Sequence, residues 1–393
     1  MNIKVLNNLN HAKTNYPKLF SPFKIKNFEL PNKTVFPPWG LNYCTGNGDF
    51  TTKLFKFYED LAKGGCALVI TGASGISENC VCPGGLHYYM RLYDDKWIEP
   101  HKSLFTTIKS HGAIAGLQLA HPGRQHPYPP HGYDALLAPS AIPMPLLLKK
   151  NPNYKVKAMT IKQIDQCIQD FIDSAVRAYK AGVDYIEFHA ANGFLINQFI
   201  SPRSNIRNDE YGGSIENRTR FLAKIIKETR KNIGNDVLIG ARLAITEFFE
   251  DGLKPEHYSA ICPILEEAGL DIISGSVGNP FETIDRNVPI EKYGDMPNID
   301  IIASIKKFTK LPIINVGSIM NCKNAEKILN EEKADLIALG RSQMADPNLI
   351  KLSAEGKEEL VRKCLRCNFC IKTKRQNMVS CKVNPDYFIE KNN

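Results

Sequence analysis

DYIEFHAANGFLINQFISPRSNIRNDEYGGSIENRTRF, residues 184–221, is the stretch on which the reading of this chain turns. Tyr185-Ile186-Glu187-Phe188 reads as a buried strand that breaks at once into a polar turn carrying His189 and Asn192. A short apolar segment follows, Phe194 to Ile200, then a bend at Pro202, a charged Gly-Gly turn from Asp209 to Gly213, and a long helix. A loop of that length is costly to order and is usually functional. Its position puts the chemistry at the C-terminal end of a strand.

Outward from this stretch, the same alternation recurs. Strand-like apolar runs stand at Thr34 to Pro37, Ala67 to Ile70, Ile114 to Leu119, Tyr185 to Phe188, Val237 to Leu243, Asp271 to Ile273, Pro312 to Val316 and Leu336 to Leu339. Helical periodicity lies between them, at Thr52 to Lys63, Ile161 to Ala181, Ile215 to Lys231, Pro255 to Ala268, Ile299 to Thr309 and Lys323 to Glu332. Short continuous apolar strands separated by helices imply parallel pairing covered on the outside. Eight such units predict an α/β fold closed as a (β/α)8 TIM barrel over residues 1–355, with a doubly wound sheet as the alternative. Residues 356–393 read as a short Cys-containing C-terminal extension. Two long insertions, His121 to Asn153 and the loop after Phe188, both follow strands and so fall on the catalytic face of a barrel. Leu19 to Phe23 and Phe28 to Leu30 read as a small antiparallel lid, and Gly64-Gly65 as a helix C-cap.

The apolar and charged fractions are those of a soluble globular protein, and no uncharged apolar run is long enough to span a bilayer. With no secretory h-region at the N-terminus, the expected compartment is cytoplasmic. The net charge of +9 is compatible with an anionic partner, but the lysines are spread through the helices. The densest run, Lys372 to Arg375, is short, so a solvated basic surface is preferred to a nucleic-acid patch.

The seventh and eighth strands end in Val316-Gly317-Ser318 and Leu339-Gly340-Arg341. Glycine lets backbone N–H groups approach an anion, a helix N-terminus adds its dipole, and arginine chelates phosphate oxygens, so Gly317, Ser318, Gly340 and Arg341 form the expected barrel phosphate site. Gln118 closes the third strand and Arg242 the fifth. An amide matches ring N–H and C=O edges, and a guanidinium stabilises charge on a ring. Together with one phosphate site, the pair suggests flavin mononucleotide (FMN). His189 and Asn192 can each donate to one ligand oxygen, polarising a carbonyl or nitro group for hydride attack. Each residue alone would more often be structural. Of 11 cysteines, Cys364, Cys367, Cys370 and Cys381 form C-x2-C-x2-C-x10-C. Four thiolates so spaced suit an iron–sulfur cluster or structural zinc, and reduced thiols in an extension are the plain alternative.

From about Leu19 to Pro347 the chain resembles the old yellow enzyme family of NADH:flavin oxidoreductases, most specifically at His189 to Pro202, at Asp209 to Arg218 and at Lys333 to Arg341 with Ala345-Asp346-Pro347. The resemblance implies FMN at the barrel mouth, reduced by NADH or NADPH and reoxidised by a small activated acceptor in the same pocket. It implies Pro38 beneath the flavin, Ala73 in the turn after the second strand, Gln118 at the pyrimidine edge, Arg242 at the N1–C2 region, and His189 with Asn192 on the acceptor. The cysteines resemble those of the 2,4-dienoyl-CoA reductase branch, whose second and third gaps are each one residue longer, which places [4Fe–4S] ahead of zinc. That branch continues into nucleotide-binding domains, so a cluster here is expected to be structural or served by a separate electron-transfer partner.

Two departures stand out. Ene-reductases of the family carry a tyrosine acid two residues after the His/Asn pair, where this chain has Phe194, which cannot donate a proton. Tyr43, in the loop after the first strand, is the candidate substitute, with water as the alternative. Gly40 stands where many relatives have a Thr or Cys that tunes the flavin potential. The leading expectation is an FMN-dependent oxidoreductase acting on a small-molecule acceptor. The rivals are a flavin and iron–sulfur electron-transfer component and an RNA-modifying flavin barrel. Homo-oligomerisation is compatible with all three.

Overall fold

A computed structural model describes residues 3–6, 8–80, 89–130, 132–376 and 378–387; the ends of the expected polar tail and of the C-terminal extension lie outside them. Among the described residues, eight parallel strands form one closed ring: β1 (Thr34–Phe36), β2 (Leu68–Gly75), β3 (Ile114–Ala120), β4 (Tyr185–Ala190), β5 (Leu238–Thr246), β6 (Ile272–Val277), β7 (Ile313–Val316) and β8 (Leu336–Ala338). β1 pairs with β8 through Ile337↔Thr34 and Ala338↔Val35, and with β2 through Val35↔Leu68 and Phe36↔Val69. A strand bonded on both sides leaves no edge, which excludes the doubly wound alternative.

The helices after the strands are α1 (Thr52–Lys63), α2 (Ile98–Lys109), α3 (Ile161–Lys180), α4 (Ile215–Ile233), α5 (Tyr258–Glu267), α6 (Ile299–Ala303), α7 (Cys322–Asn330) and α8 (Leu349–Ala354). Local chemistry starts them. Thr51 caps α1 by accepting from the Leu54 N–H, and Thr160 with Gln163 forms a reciprocal capping box on α3. The expected Gly64-Gly65 stop is present: Gly65 takes φ +97°, and a Cβ on Gly64 would meet the Pro347 carbonyl oxygen at 1.8 Å. α6 is shorter than the expected Ile299 to Thr309, because the chain tightens into a 3-10 turn at Lys306–Phe308.

The barrel interior has its own apolar cluster, including Val35, Leu68, Tyr185, Leu238, Ile314 and Leu336, all from the N-terminal ends of strands. The antiparallel hairpin Phe23–Ile25 with Phe28–Leu30 packs Phe23, Ile25 and Phe28 against it. The expected lid is therefore a plug at the bottom of the barrel, opposite the mouth. A second, larger cluster lies between strands and helices and buries Phe57, Phe105, Phe171, Phe188, Phe199 and Phe221. The insertion after β3 carries a strand, Leu136–Ala138, paired in parallel with Val156–Ala158, and a helix, Pro145–Lys150.

The described residues after 355 lie against the barrel. The Arg362 N–H donates to Asp346, the Val379 N–H to the Leu41 carbonyl at 3.0 Å, Asn384 Nδ2 to the Met344 carbonyl at 3.1 Å, and the Tyr387 hydroxyl to Asp60 Oδ2 at 2.6 Å. No helix among the described residues is long and apolar enough to cross a membrane.

The Tyr185 ring crosses the barrel interior over two glycines: an added Cβ would fall 1.9 Å from its Oη at Gly240 and 3.0 Å from its Cδ1 at Gly116. Gly240→Ala is expected to destabilise the fold by about 1–3 kcal/mol through overpacking, read as a lower urea midpoint with unchanged slope. A wild-type midpoint would show that the interior yields.

Candidate active site

At the end of β4, the chain turns through Asn192 at φ +60°, a left-handed position that asparagine tolerates. Ser276 Oγ on β6 donates to Asn192 Oδ1 at 2.8 Å, so the amide NH2 is the group Asn192 offers to the cavity. Gln125 donates to the Asn192 carbonyl, and the Gly193 N–H donates to Asn197 Oδ1 at 2.7 Å, fixing the turn from both sides. His189 is buried, and the Phe194 ring tilts against it with centroids 4.2 Å apart. Phe194 itself lines the cavity.

Below these residues is a buried polar group. Gln118 Nε2 donates to Glu187 Oε1 at 2.7 Å, and the Tyr185 hydroxyl donates to Glu187 Oε2 at 3.2 Å. Burial raises the Glu187 pKa, opposed by the Arg242 charge and by its hydrogen-bond donors. Burial pulls the Arg242 pKa down, with Glu187 acting against it. Gln118 thus lines the cavity with its NH2 engaged below, which leaves its carbonyl oxygen as the group uncommitted to Glu187. The sequence signals for the supporting groups were an acidic residue inside the apolar run Tyr185 to Phe188 and two serines, Ser274 and Ser276, alternating along β6.

At β7 and β8, Arg341 Nη2 donates to Ser318 Oγ and to the Pro289 carbonyl, and Nη1 to Asn368 Oδ1, each at 2.7 Å. Three of its five N–H donors are used, so two remain for an anion. Gly317 has φ +137° and Ser318 φ +54°. The helix after Gly340 is only Arg341–Ala345, so the dipole expected there is small, and donors do the work.

Pro38, Ala73, Gln118, His189, Asn192, Arg242, Gly317, Ser318, Gly340 and Arg341 all line one cavity of about 500 Å³ at the C-terminal mouth. Ala73 reaches it because a bulge in the β2–β3 pairing falls at Gly72, whose N–H donates to the Tyr58 hydroxyl at 2.7 Å. Tyr43 is the exception and a correction: it is absent from the cavity wall, is 2% exposed, and its hydroxyl donates to the Val379 carbonyl at 2.8 Å. Pointing into the C-terminal segment, it is not placed to protonate a cavity ligand. Trp39, Tyr89, Gln125, Phe281 and Ile371 also line the wall and were not singled out by sequence. Ile371 comes from the extension, which therefore helps close the site.

Cys364, Cys367, Cys370 and Cys381 line one small cavity, with Arg341 common to it and to the large one. All four are free thiols. Burial raises the Cys364 and Cys370 pKa values, the latter to about 12, with Arg341 opposing both. Among the described residues no three of His, Cys, Asp or Glu stand close enough to hold a metal ion.

Residues 18–359 match the sequence model of the NADH:flavin oxidoreductase / NADH oxidase family. The chain is 36% identical over 380 residues to NADH oxidase of Thermoanaerobacter brockii, covering 95% of this chain and 56% of that protein. It is 34% identical to NADPH dehydrogenase of Geobacillus thermodenitrificans, covering 84% and 91% respectively. Among solved structures, the complex of 2-naphthoyl-CoA reductase with 2-naphthoyl-CoA superposes with a TM-score of 0.85 at 28% identity, over 94% of this chain and 57% of that one. The chain spans about half the length of several curated relatives it matches.

Two buried histidines near the mouth make stability depend on pH. The Gly123 N–H donates to His121 Nδ1 at 2.9 Å, leaving Nε2–H to donate to Asn79 Oδ1 at 3.1 Å, and burial lowers the His121 pKa from 6.5 to about 4. His101, between Ser74 and the Trp97 carbonyl, is lowered by burial to about 4 as well. The unfolded chain takes up these protons near pH 6.5 and the folded chain does not, so this stability is present above 6.5 and is lost as pH falls toward 4. Between pH 6.5 and 5, His121→Gln is expected to gain up to about 2 kcal/mol relative to wild type, measured as the difference in urea unfolding free energy. A pH-independent difference would show that His121 titrates alike in the folded and unfolded chain.

Proposed function

Because the chain belongs to the NADH:flavin oxidoreductase / NADH oxidase family, the old yellow enzyme family of the sequence reading, we propose that it is an FMN-dependent oxidoreductase. Hydride passes from NADH or NADPH to a small electron-poor acceptor, an enone, a dienoyl compound or a similar molecule. One observation carries the reading: every flavin and acceptor residue expected from sequence, except Tyr43, lines a single cavity at the barrel mouth. The site suits FMN because it has an amide and a guanidinium for a ring edge, and a guanidinium with donors to spare for one phosphate. When bound, FMN supplies the hydride chemistry.

The residues then divide the work. Arg341, Ser318, Gly317 and Gly340 hold the phosphate, and Gln118 and Arg242 hold the pyrimidine end, with Glu187 locking Gln118 in place. His189 and the Asn192 NH2 donate to the acceptor's oxygen, drawing charge from the carbon that receives hydride. Ser276 keeps that amide from flipping. Phe194 excludes water beside His189 and gives no proton.

The division into a barrel, 1–355, and an extension, 356–393, follows the same reading, the extension carrying a [4Fe–4S] cluster on its four cysteines. The support is that all four face one cavity. A role as a flavin and iron–sulfur electron-transfer component with a partner has one observation in its favour, that Arg341 lines both cavities. A reducing, cytoplasmic setting fits a chain whose described cysteines are all free.

An anaerobic absorption spectrum before and after NADH or NADPH tests the whole proposal: a flavin band that bleaches supports it, and a protein that stays colourless with added FMN removes it. Replacing both His189 and Asn192 with Ala is expected to slow reoxidation by an enone about 100-fold or more with FMN affinity little changed; stopped-flow rates equal to wild type would reassign both residues. Anaerobic reconstitution with iron and sulfide is expected to load about four irons per chain, abolished in Cys364→Ser/Cys370→Ser with FMN retained. Background iron in the reconstituted wild type would leave the cysteines as plain thiols.

A further inference from the structure

Gly40 lies in the wall of the large cavity, and its conformation does not require glycine, since its φ lies outside the left-handed region. Packing does. An added Cβ would fall 2.0 Å from Tyr89 Oη, 2.3 Å from Cζ and 2.4 Å from Cε1, so the head of the phenol occupies the space of a residue-40 side chain. The next three residues hold Tyr89 there. Met90 and Arg91 pair in parallel with Ser74 and Gly75 at the end of β2, the Leu92 N–H donates to the Gly75 carbonyl at 3.0 Å, and Arg91 Nη2 donates to the Gly46 carbonyl at 2.6 Å. That register sets Tyr89 beside Ala73, on a stretch of wall shared with Pro38 and Gln118. Among the described cavity residues Tyr89 is the sole phenol, 8% exposed, while Tyr43 faces away and position 194 is phenylalanine.

We propose that Tyr89 is a hydrogen-bond donor to the heterocycle bound in this cavity, admitted by the missing side chain of Gly40, and that it raises the reduction potential of that heterocycle. The inference rests on the flavin reading above. A flavin ring gains negative charge at its pyrimidine end on reduction, and a fixed O–H dipole there favours the reduced form in a site of low dielectric. The Gly40–Tyr89 pair thus puts a phenol O–H where a side chain at position 40 would otherwise stand. Tyr89 is also the sole phenol among the described cavity residues, but the placement against Gly40 assigns it to the ring.

The test is a midpoint titration of the FMN-loaded protein with dithionite against a reference dye. Tyr89→Phe is expected to lose about tenfold in preference for the reduced form, which for a two-electron couple is about 30 mV lower. Gly40→Ala, which must displace the phenol while leaving Tyr89 in the chain, is expected to lower the potential too. Gly40→Thr in a Tyr89→Ala background returns a hydroxyl to the vacated space and is expected to recover part of the loss, which a merely structural tyrosine would not allow. A wild type that binds FMN and bleaches with NADH or NADPH, yet shares its potential with Tyr89→Phe and Gly40→Ala, overturns the Tyr89 assignment alone. A wild type that takes up no FMN overturns the flavin reading and this inference with it.

Discussion

The hydrogen bonds between β8 and β1, with only Ile337↔Thr34 and Ala338↔Val35 in register, close the ring of strands. Without them the sheet would have two open edges and its ends would diverge with the twist. With them, the C-termini of all eight strands converge on one mouth. Residues as distant in sequence as Pro38, Gln118, Asn192, Arg242 and Arg341 thereby share a cavity. The price of closure is a crowded interior, visible in Gly116 and Gly240 yielding to Tyr185, whose hydroxyl then meets Glu187 beneath the site.

That buried carboxyl links scaffold and chemistry. Glu187 sits on β4 between Tyr185 below and Gln118 at its side, with the Arg242 charge nearby offsetting the cost of burial. The same strand continues into His189 and the Asn192 turn, so orientation passes by covalent geometry from the barrel core to the pair proposed to bind the acceptor. Ser276 serves Asn192 from the side as Glu187 serves Gln118 from below. These two amides are oriented by groups that do not themselves line the cavity.

The C-terminal segment belongs to this arrangement physically. It contributes Ile371 to the cavity wall, Asn368 to Arg341 and the Val379 carbonyl to Tyr43, and it gathers its cysteines where Arg341 lines both cavities. It is short, but its contacts reach the cavity wall and Arg341 itself.

Much of the architecture was legible because it is written locally. Strand runs such as Val237 to Leu243, caps such as Thr160 with Gln163, and the stop at Gly65 need only neighbours in sequence. Strand count with helical spacing implied the barrel, and a barrel puts strand-end residues at one mouth, which is why Gln118, Arg242 and Arg341 could be named. Tyr43 was misjudged because being in a loop after a strand says nothing of which way a side chain faces; a contact with Val379, 336 residues away, decides that. Tyr89 was invisible for the same reason, since its value comes from the space left by Gly40, across a pairing with β2 that no local pattern specifies. Periodicity, the order of elements and the chemical inventory at the strand ends were all present in the unfolded chain. The direction of each side chain was not, because it depends on long-range packing and on which buried donor finds which acceptor.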